Sequence, residues 1–280
     1  RLRCDWSSDV CSSDLLTNLS CSSNQLTSLD ASSNTALTDL GCAGNQLTSL
    51  DVSANSALTE LRCTNNQITS LDVSSNTALT NLSCSSNQLT SLDVSANTAL
   101  THLGCYYTQL TSLDVSNNTA LTNLQAKDNY LTSLDVSSNP ALTSLECNNN
   151  QLTYLNMRNG ITDQLSNFNA TNNSLTCIET LDPAYAIANW TSANGNIDAG
   201  VTFDVICGAE AQTNWYVATT GSDASGSGTS ASPLASIQTA INATTDGDTV
   251  SVAAGTYVEN INFNGRSEEH TSELQSHLNL

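Results

Sequence analysis

Basic residues are scarce in this sequence. Six Lys and Arg residues stand against 26 Asp and Glu residues, so the formal net charge at pH 7 is −20. A surface of this sign repels the phosphates of nucleic acid and the headgroups of anionic membranes, so neither is expected as a partner. The charge instead suits a soluble, secreted module or a protein that uses divalent cations.

The sequence also lacks long apolar runs and metal-ligand motifs. No run of about 18 apolar residues exists, so no segment is expected to insert into a membrane. Only three His residues are present, and no two Cys residues form a C-x-x-C pair. A zinc site is therefore not predicted.

What the sequence does contain is a repeat. Seven similar units follow each other with a fixed period of 21 residues, and an eighth, longer unit begins at Leu165 after a two-residue insertion. The seven units begin at Leu16, Leu37, Leu58, Leu79, Leu100, Leu121 and Leu142. A short fixed period predicts a solenoid, in which each unit buries its apolar face against its neighbours.

The positions inside the unit indicate which kind of solenoid. An inner leucine recurs at Leu19 and its equivalents; in most units a Cys follows two residues later and an Asn three residues after that, with Thr108 as the one substitute for Asn. The pattern L-x-x-L-x-C-x-x-N-x-L resembles the leucine-rich repeat, with Cys in place of one Leu. From Leu16 to about Ile178 the chain is similar to the cysteine-ladder internalins and related surface proteins of environmental bacteria.

Elementary geometry agrees with this resemblance. In Leu19-Ser20-Cys21 apolar and polar side chains alternate, which predicts a short, half-buried strand. One such strand per coil, stacked in parallel at about 4.8 Å, predicts a β-rich solenoid with a parallel sheet that spans about 38 Å. We expect the Asn after each strand, and the Asn in the second half of each unit such as Asn34, to turn inward and satisfy backbone groups.

Both ends of the chain fall outside the repeat. DWSSDVCSSDL (Asp5 to Leu15) resembles the translation of a sequencing-adapter oligonucleotide, and RSEEHTSELQSH (Arg266 to His277) resembles its reverse-strand partner. We therefore expect residues 1–15 and 266–280 to be artefacts, and the chain to be a fragment of a longer gene product. Without them three basic and 20 acidic residues remain, a net charge near −17.

The ten Cys residues fall into three groups. Six recur singly in the repeat and are expected to be buried free thiols; the alternative, disulfides along the ladder, fits parallel neighbours poorly. These six are Cys21, Cys42, Cys63, Cys84, Cys105 and Cys147. Cys177 and Cys207 flank a segment that breaks the repeat, and we predict that a disulfide between them closes a C-terminal cap in an oxidising compartment. Cys4 and Cys11 would close an N-terminal cap only if the first segment were native.

One carboxylate recurs in each of six units. The register comprises Asp30, Asp51, Asp72, Asp93, Asp114 and Asp135, with members about 5 Å apart in the predicted stack. A calcium ladder is one interpretation. The simpler one is that each carboxylate caps backbone donors of its own turn, because calcium needs several oxygens around one ion. No cofactor is therefore predicted, with calcium kept as the alternative.

The positions that vary between units flank the Leu-x-Cys strand and point outward. In leucine-rich repeats this sheet lines the concave face, where partners usually bind. Tyr and Arg are enriched at binding hot spots, and aromatic plus polar groups also suit sugar rings. The candidate ligand-binding residues are Glu60, Arg62, His102, Tyr106, Tyr107, Gln125, Lys127, Asp128 and Glu146. The competing interpretation is unselected drift on a solvated face.

Composition changes after the repeats. We predict a cap over 179–207, a linker over 208–214 and a new module over 215–265. This module reads as strand, Gly/Ser loop, helix, turn at Asp246-Gly247, strand, turn and strand, with Leu234, Ile237 and Ile241 on one stripe of the helix. It is similar to the first coil of right-handed parallel β-helix proteins of the pectin-lyase-like kind.

The resemblance to parallel β-helix proteins does not predict a catalytic site in this chain. The family's catalytic residues lie on later coils, and Ser, Thr and Asp without a nearby His or Lys form no nucleophilic constellation. One coil alone cannot bury a core, so we expect this segment either to be poorly ordered or to dock on the cap. No catalytic residue is predicted, and the chain itself is not expected to be an enzyme.

Two functions remain. The first is a secreted or cell-surface bacterial adhesion protein, expected to be monomeric, that binds a protein or a polysaccharide through the concave face. The second is the substrate-targeting part of a polysaccharide lyase or hydrolase whose catalytic β-helix is missing. The residues present favour the first.

Overall fold

The computed structural model describes residues 16–208, 212–245 and 247–263. Both adapter-like segments, part of the predicted linker and Asp246 of the predicted turn lie outside the described residues. In the described part the chain forms 14 strands and two helices. These are β1 (Asn18–Ser20), β2 (Asp39–Gly41), β3 (Glu60–Arg62), β4 (Asn81–Ser83), β5 (His102–Gly104), β6 (Asn123–Gln125), β7 (Ser133–Asp135), β8 (Ser144–Glu146), β9 (Tyr154–Met157), β10 (Asn167–Asn169), β11 (Cys177–Thr180), α1 (Pro183–Asn189), β12 (Thr202–Asp204), β13 (Asn214–Val217), α2 (Ile237–Ala243) and β14 (Thr249–Val252).

The chain divides into two compact units. The first contains the described residues up to 134, together with 138–153 and 165–174; the second contains 135–137, 154–164 and the described residues from 175 onward. The domain boundaries expected from the sequence remain predictions. Both helices have seven residues, and no helix in the described ranges is long and apolar enough to cross a membrane.

An eight-stranded parallel sheet runs through the first unit in the order β1-β2-β3-β4-β5-β6-β8-β10. Each strand has three residues, and its central residue pairs with the equivalent residue of the next coil, as Leu19 with Leu40 and Leu40 with Leu61. The central side chain points into the core while its two neighbours point outward, because side chains alternate along a strand. The predicted solenoid with one short strand per coil is confirmed.

The core of this unit consists of columns of aliphatic side chains from equivalent positions of successive coils. Leu37, Leu58 and Leu79 lead one column, and Leu47, Ile68 and Leu89 lead another; all six are completely buried. Stacking equivalent aliphatic residues buries apolar surface on both sides of each coil, which a single coil cannot do.

Five of the six ladder cysteines fill the core position next to the strand. Burial raises the pKa of the Cys42, Cys105 and Cys147 thiols to about 12. It also raises the pKa of the Cys63 and Cys84 thiols well above the ordinary value of a cysteine. Cys21, in the first coil, is half-buried. All six thiols are free, so they pack as small apolar groups that are poor nucleophiles.

Inward-facing asparagines connect successive coils. Asn66 donates through Nδ2 to the carbonyl of Cys63 at 3.0 Å and to that of Cys42 at 3.1 Å, and its Oδ1 accepts from the N–H of Leu47 at 3.0 Å. In the second half of the unit, Nδ2 of Asn76 donates to the carbonyls of Val52 and Asn55 at 3.0 and 2.8 Å. The predicted role of the Asn residues in both halves is confirmed.

The recurring aspartates cap their own turns. In each of the six, Oδ1 accepts a hydrogen bond from the backbone N–H of the Ser two residues later, at 2.8 to 3.0 Å. The Ser hydroxyl and then this N–H lower the pKa of Asp30, Asp51, Asp72, Asp93 and Asp114. Within the described ranges no group of three or more His, Cys, Asp or Glu residues is placed to hold a metal ion.

A second sheet, in the order β12-β11-β9-β7, was not predicted. It belongs largely to the second unit, where the chain departs from the strict repeat. Helix α1 connects β11 to β12 and begins at Pro183, and the side chain of its N-cap residue Asp182 accepts from the N–H of Tyr185 at 2.9 Å. Cys177 and Cys207 are joined by a disulfide, with Cα atoms 5.9 Å apart. The residues of the predicted cap therefore form a strand–helix–strand segment closed by this bond.

The segment after residue 211 has a small core of its own. β13 and β14 pair in parallel, and Trp215, Val217, Leu234 and Ile241 are buried together with helix α2. Asn242 donates to the carbonyl of Leu181 at 3.2 Å, so of the two expected outcomes docking on the cap is the one observed.

Two details of this segment correct the sequence analysis. Leu234 is not on the helix, because Ser236 caps it and α2 begins at Ile237; Leu234 instead forms a bridge with Val217. The strand expected near Tyr257 and Val258 is absent from the described residues, and Val258 is 96% exposed. Two adjacent apolar residues are too short a signal to establish a strand without a partner. The pectin-lyase-like identity of the segment remains a prediction.

Candidate ligand-binding face

The outward side chains of the eight-stranded sheet, with the residues directly after each strand, form what we call the sheet face. Its backbone is the same in every coil, so only side chains distinguish one coil from the next. The coil of β4 presents small polar residues such as Asn81 and Ser83, whereas the coils of β5, β6 and β8 present larger groups.

One position of the sheet face has a left-handed backbone in every coil. Its φ angles lie between 51° and 65°, and its occupants are Ser23, Gly44, Asn65, Ser86, Tyr107, Asp128, Asn149 and Asn172. Gly, Asn, Asp and Ser are small residues that tolerate such a turn. A bulky side chain there is an outlier, at a cost of about 1–2 kcal/mol. Tyr107, with φ of 51°, is that outlier, and its side chain is 58% exposed.

Tyr107 stands next to a second aromatic residue. The ring centroids of Tyr106 and Tyr107 are 5.8 Å apart with the planes at 73°, an edge-to-face pair. The ammonium of Lys127 lies 5.4 Å from the centroid of the Tyr106 ring, within cation–π range. Tyr106 is therefore held from two sides, whereas Tyr107 projects into solvent.

Lys127 is also held by an ion pair. Its Nζ is 2.5 Å from Oε2 of Glu146, and the other carboxylate oxygen of Glu146 accepts from Nδ2 of Asn167 at 3.0 Å. The hydrogen bond from Lys127 lowers the pKa of Glu146, and the bond to Glu146 raises the pKa of Lys127. Both groups remain ionised near neutral pH, and their charges compensate each other.

Three predicted residues complete this region. Gln125 lies on β6 next to Gly104 of β5, with its Oε1 3.7 Å from the place where a Cβ on Gly104 would lie. Asp128 accepts a 2.7 Å hydrogen bond from Asn149, and exposed His102 lies with Nδ1 2.9 Å from the hydroxyl of Thr101. We call the whole set the tyrosine patch: His102, Tyr106, Tyr107, Gln125, Lys127, Asp128 and Glu146.

Glu60 and Arg62 form a separate group. Arg62 donates to Asp39 at 2.8 Å and forms an ion pair with Glu60. Its guanidinium crosses Gly41, where an added Cβ would lie 3.7 Å from Nε of Arg62. The strand β4 lies between this group and β5, so the structure does not gather all the predicted residues into one site.

The candidate residues did not include three neighbours of these groups: Asp39, Asn149 and Asn167. The parallel register contains the missing signal. Gly41 on β2 pairs with Arg62 on β3, and Asp39 lies two residues before Gly41 on the same strand. Because opposite charges on neighbouring strands attract each other, this register indicates Asp39 as a partner of Arg62. Asn167 follows from the register of β10 with β8, in which Asn167 pairs with Ser144.

A buried polar cluster lies elsewhere, in the second unit. Arg158 is 5% exposed; its Nε is 3.3 Å from Glu179, and its Nη1 donates to the carbonyl of Gly226 at 2.7 Å. The second oxygen of Glu179 accepts from the N–H of Cys207 at 3.2 Å. Tyr154, which is 38% exposed, donates from its hydroxyl to Glu179 at 3.2 Å, and partial burial together with Glu179 raises the pKa of Tyr154 to about 12. With its partners satisfied inside the protein, this cluster is a structural connection within the unit.

The register, the inward leucines and the Asn ladder define the class of the repeat array, a leucine-rich-repeat solenoid. Similarity to solved structures supports this class of fold. The chain is 43% identical to the functional domain of InlJ from Listeria monocytogenes, which includes a cysteine ladder; the TM-score is 0.55 and the match covers 59% of this chain and 39% of that one. A leucine-rich-repeat protein of Leptospira interrogans is 26% identical, with a TM-score of 0.53 and coverage of 65% and 48%. The leucine-rich effector YopM of Yersinia pestis is 26% identical, with a TM-score of 0.51 and coverage of 59% and 46%.

This chain thus spans less than half the length of each of these three structures. No family model and no curated protein matches it.

Proposed function

We propose that the chain is the recognition part of a secreted or cell-surface bacterial binding protein, and that the tyrosine patch is its contact surface for a protein or glycan ligand. The observation that carries the proposal is Tyr107. This residue occupies the left-handed position of its coil, where the other coils carry Ser, Gly, Asn or Asp.

A strained residue that contributes little packing needs another explanation. Tyr107 is largely exposed, so its contact with Tyr106 does not offset the cost of its backbone by burial. Strain of this kind concentrates at functional sites. Tyr is also among the residues enriched at binding hot spots, where a rigid ring contributes contact area at low entropic cost.

Two observations support a secreted or cell-surface bacterial protein. The Cys177–Cys207 disulfide is a bond that persists in oxidising compartments, which supports a location outside the cell. The similar structures from Listeria, Leptospira and Yersinia support a bacterial origin. Adhesion through the sheet face is the role that we propose for such a protein.

The test uses Tyr106→Ala combined with Tyr107→Ala. Fluorescently labelled chain is applied to arrays of purified extracellular proteins and of oligosaccharides, and retained spots are then titrated. We expect the double variant to lose the ligands of the parent chain while its unfolding midpoint stays near that of the parent. Tyr130→Ala is the matched control, because Tyr130 is also an exposed tyrosine of the repeats, at 52%, but lies outside the patch.

A second variant separates binding from folding. Tyr107→Asn replaces the strained ring by a residue that tolerates the left-handed turn, so its unfolding free energy should rise by about 1 kcal/mol while ligand affinity falls. Equal retention of every ligand by the parent chain and the two patch variants would remove the tyrosine patch from consideration.

The alternative function is targeting of a polysaccharide lyase or hydrolase. The feature in its favour is the parallel pairing of β13 with β14 across helix α2, an arrangement that the first coil of a parallel β-helix would have. Further β-helix coils that carry a cluster of basic and acidic residues, found downstream in the source gene, would favour this alternative.

A further inference from the structure

We infer that the partner is a protein that presents a cationic side chain, and that this arginine or lysine binds between the ring of Tyr107 and the carboxylate of Asp128. The inference rests on the proposed function and specifies the chemistry of its ligand.

The cations of the sheet face are already engaged. Arg62 is paired with Asp39 and Glu60, and Lys127 is paired with Glu146. Compensated cations of this kind offer little attraction to phosphate, sulfate or carboxylate groups of a ligand. An anionic partner would have to displace a carboxylate from its ion pair, which makes anionic ligands the least favoured class.

A carboxylate and an exposed ring adjoin each other in the patch. Tyr107 and Asp128 occupy the same left-handed position in consecutive coils, and the N–H of Tyr107 donates to the carbonyl of Lys127 at 3.3 Å. Consecutive coils are separated by about 4.8 Å, so a single side chain can reach both residues. Oδ1 of Asp128 accepts from Asn149, and an ionised carboxylate has room for further donors.

This combination fits a guanidinium or ammonium group. The face of an aromatic ring attracts a cation, and a carboxylate adds a charge-assisted hydrogen bond. Arg suits the pair best, since its planar group stacks on a ring and donates from its edge at the same time. The acidic surface of the chain would further increase the rate at which a basic partner associates.

The test uses a minimal probe with a neutral isostere. The full chain, labelled with ¹⁵N, is titrated with N-acetyl-arginine amide and, separately, with N-acetyl-citrulline amide. We expect saturable amide shifts centred on Tyr107 and Asp128 with the arginine probe, with weak affinity in about the millimolar range, and none with citrulline.

Two variants locate the contact. Asp128→Asn keeps a residue suited to the left-handed turn and removes one negative charge, and it should weaken arginine binding by about threefold to tenfold. Asp93→Asn removes the same charge from a different part of the repeat and should leave binding unchanged. Equal shifts with both probes, shifts spread evenly over the aspartate register, or an unaltered affinity in Asp128→Asn would overturn the inference.

Failure of this inference is distinguishable from failure of the proposed function. If arginine does not bind but Tyr106→Ala with Tyr107→Ala still abolishes binding to an array ligand, the patch is a binding site for a different chemistry. If arginine binds as expected, a protein ligand found on the arrays should lose affinity in Asp128→Asn and at high salt, because the contact is ionic.

Discussion

Thr108 is the one residue that interrupts the first column of asparagines. Its hydroxyl oxygen lies 3.0 Å from the carbonyl oxygen of Cys105 and 2.5 Å from Oδ1 of Asn129, and its single proton can be donated to only one of them at a time. In the preceding coil, Asn87 donates to the carbonyls of Cys63 and Cys84, and its Oδ1 accepts from the N–H of Ile68. A hydroxyl is too short and has too few donors to reproduce this set.

We therefore expect Thr108→Asn to stabilise the first unit. By the register of the ladder, the new amide would donate to the carbonyl of Cys84 and accept from the N–H of Leu89. Two added buried hydrogen bonds predict a gain of about 1–2 kcal/mol in the free energy of unfolding, measured by urea denaturation. Thr108→Val, which removes the hydroxyl, should be less stable than the parent chain. A destabilised Thr108→Asn would mean that the coil has adapted to the smaller residue.

At the scale of the element, each coil carries a turn whose carboxylate is part of the fold. The aspartates of this register have a pKa below the ordinary value of Asp because a Ser hydroxyl and a backbone N–H bind the ionised form. A depressed folded-state pKa means that the unfolded chain takes up protons first as the pH falls. The stabilisation is present above the unfolded pKa, near 3.9, and is lost as pH falls through the folded pKa.

This gives a pH prediction for the combined variant Asp51→Asn, Asp72→Asn and Asp93→Asn. Asparagine keeps an oxygen that accepts from the turn N–H but does not titrate. The parent chain should lose unfolding free energy below about pH 4, and the variant should show a shallower decline. Denaturant unfolding at several pH values measures the unfolding free energy of the parent chain and of the variant. The variant Ser53→Ala, Ser74→Ala and Ser95→Ala, which keeps the carboxylates, is the comparison. Identical pH slopes in the parent chain and the Asn variant would contradict the prediction.

At the scale of the whole molecule, the second unit is connected by one buried ion pair. Arg158 and Glu179 lie on or beside strands β9 and β11, while Gly226 and Cys207 belong to later segments that contact them. Asn156 adds a hydrogen bond to the carbonyl of Ala224 at 3.0 Å. Segments far apart in sequence thus depend on the same two charges.

Removing one of these charges should therefore be costly. Arg158→Met leaves Glu179 buried without its cation, and we expect a loss of about 3–5 kcal/mol from the unfolding free energy of the second unit. Adding Glu179→Gln removes the uncompensated charge but keeps an oxygen for the N–H of Cys207, so the double variant should be more stable than Arg158→Met. Calorimetry that separates the two units is the measurement. A loss below about 1 kcal/mol in the single variant would show that water reaches the cluster.

The sequence by itself determined the repeat array. The period, the strand register and the inward Asn follow from a pattern that appears seven times, and repetition averages out the ambiguity of any single strand. Outside the repeats the sequence is a weaker guide, because it predicts Leu234 on a helix and a strand near Tyr257, and the described residues form neither. The candidate residues of the sheet face were named from position alone, and their binding role remains a prediction.

Only the tertiary structure decided which of those residues act together. The pairing of Lys127 with Glu146, the separation of Arg62 from the tyrosines and the left-handed backbone of Tyr107 depend on side-chain rotamers and on φ angles. The contacts of Arg158 also depend on the tertiary structure, because the composition identifies Arg158 only as one of the basic residues. The period of the apolar residues predicts the path of the backbone, because apolar residues recur at the positions where the backbone turns one face of the coil toward the core. Contacts between individual polar side chains depend on geometry within a few ångströms, which a one-dimensional pattern does not contain.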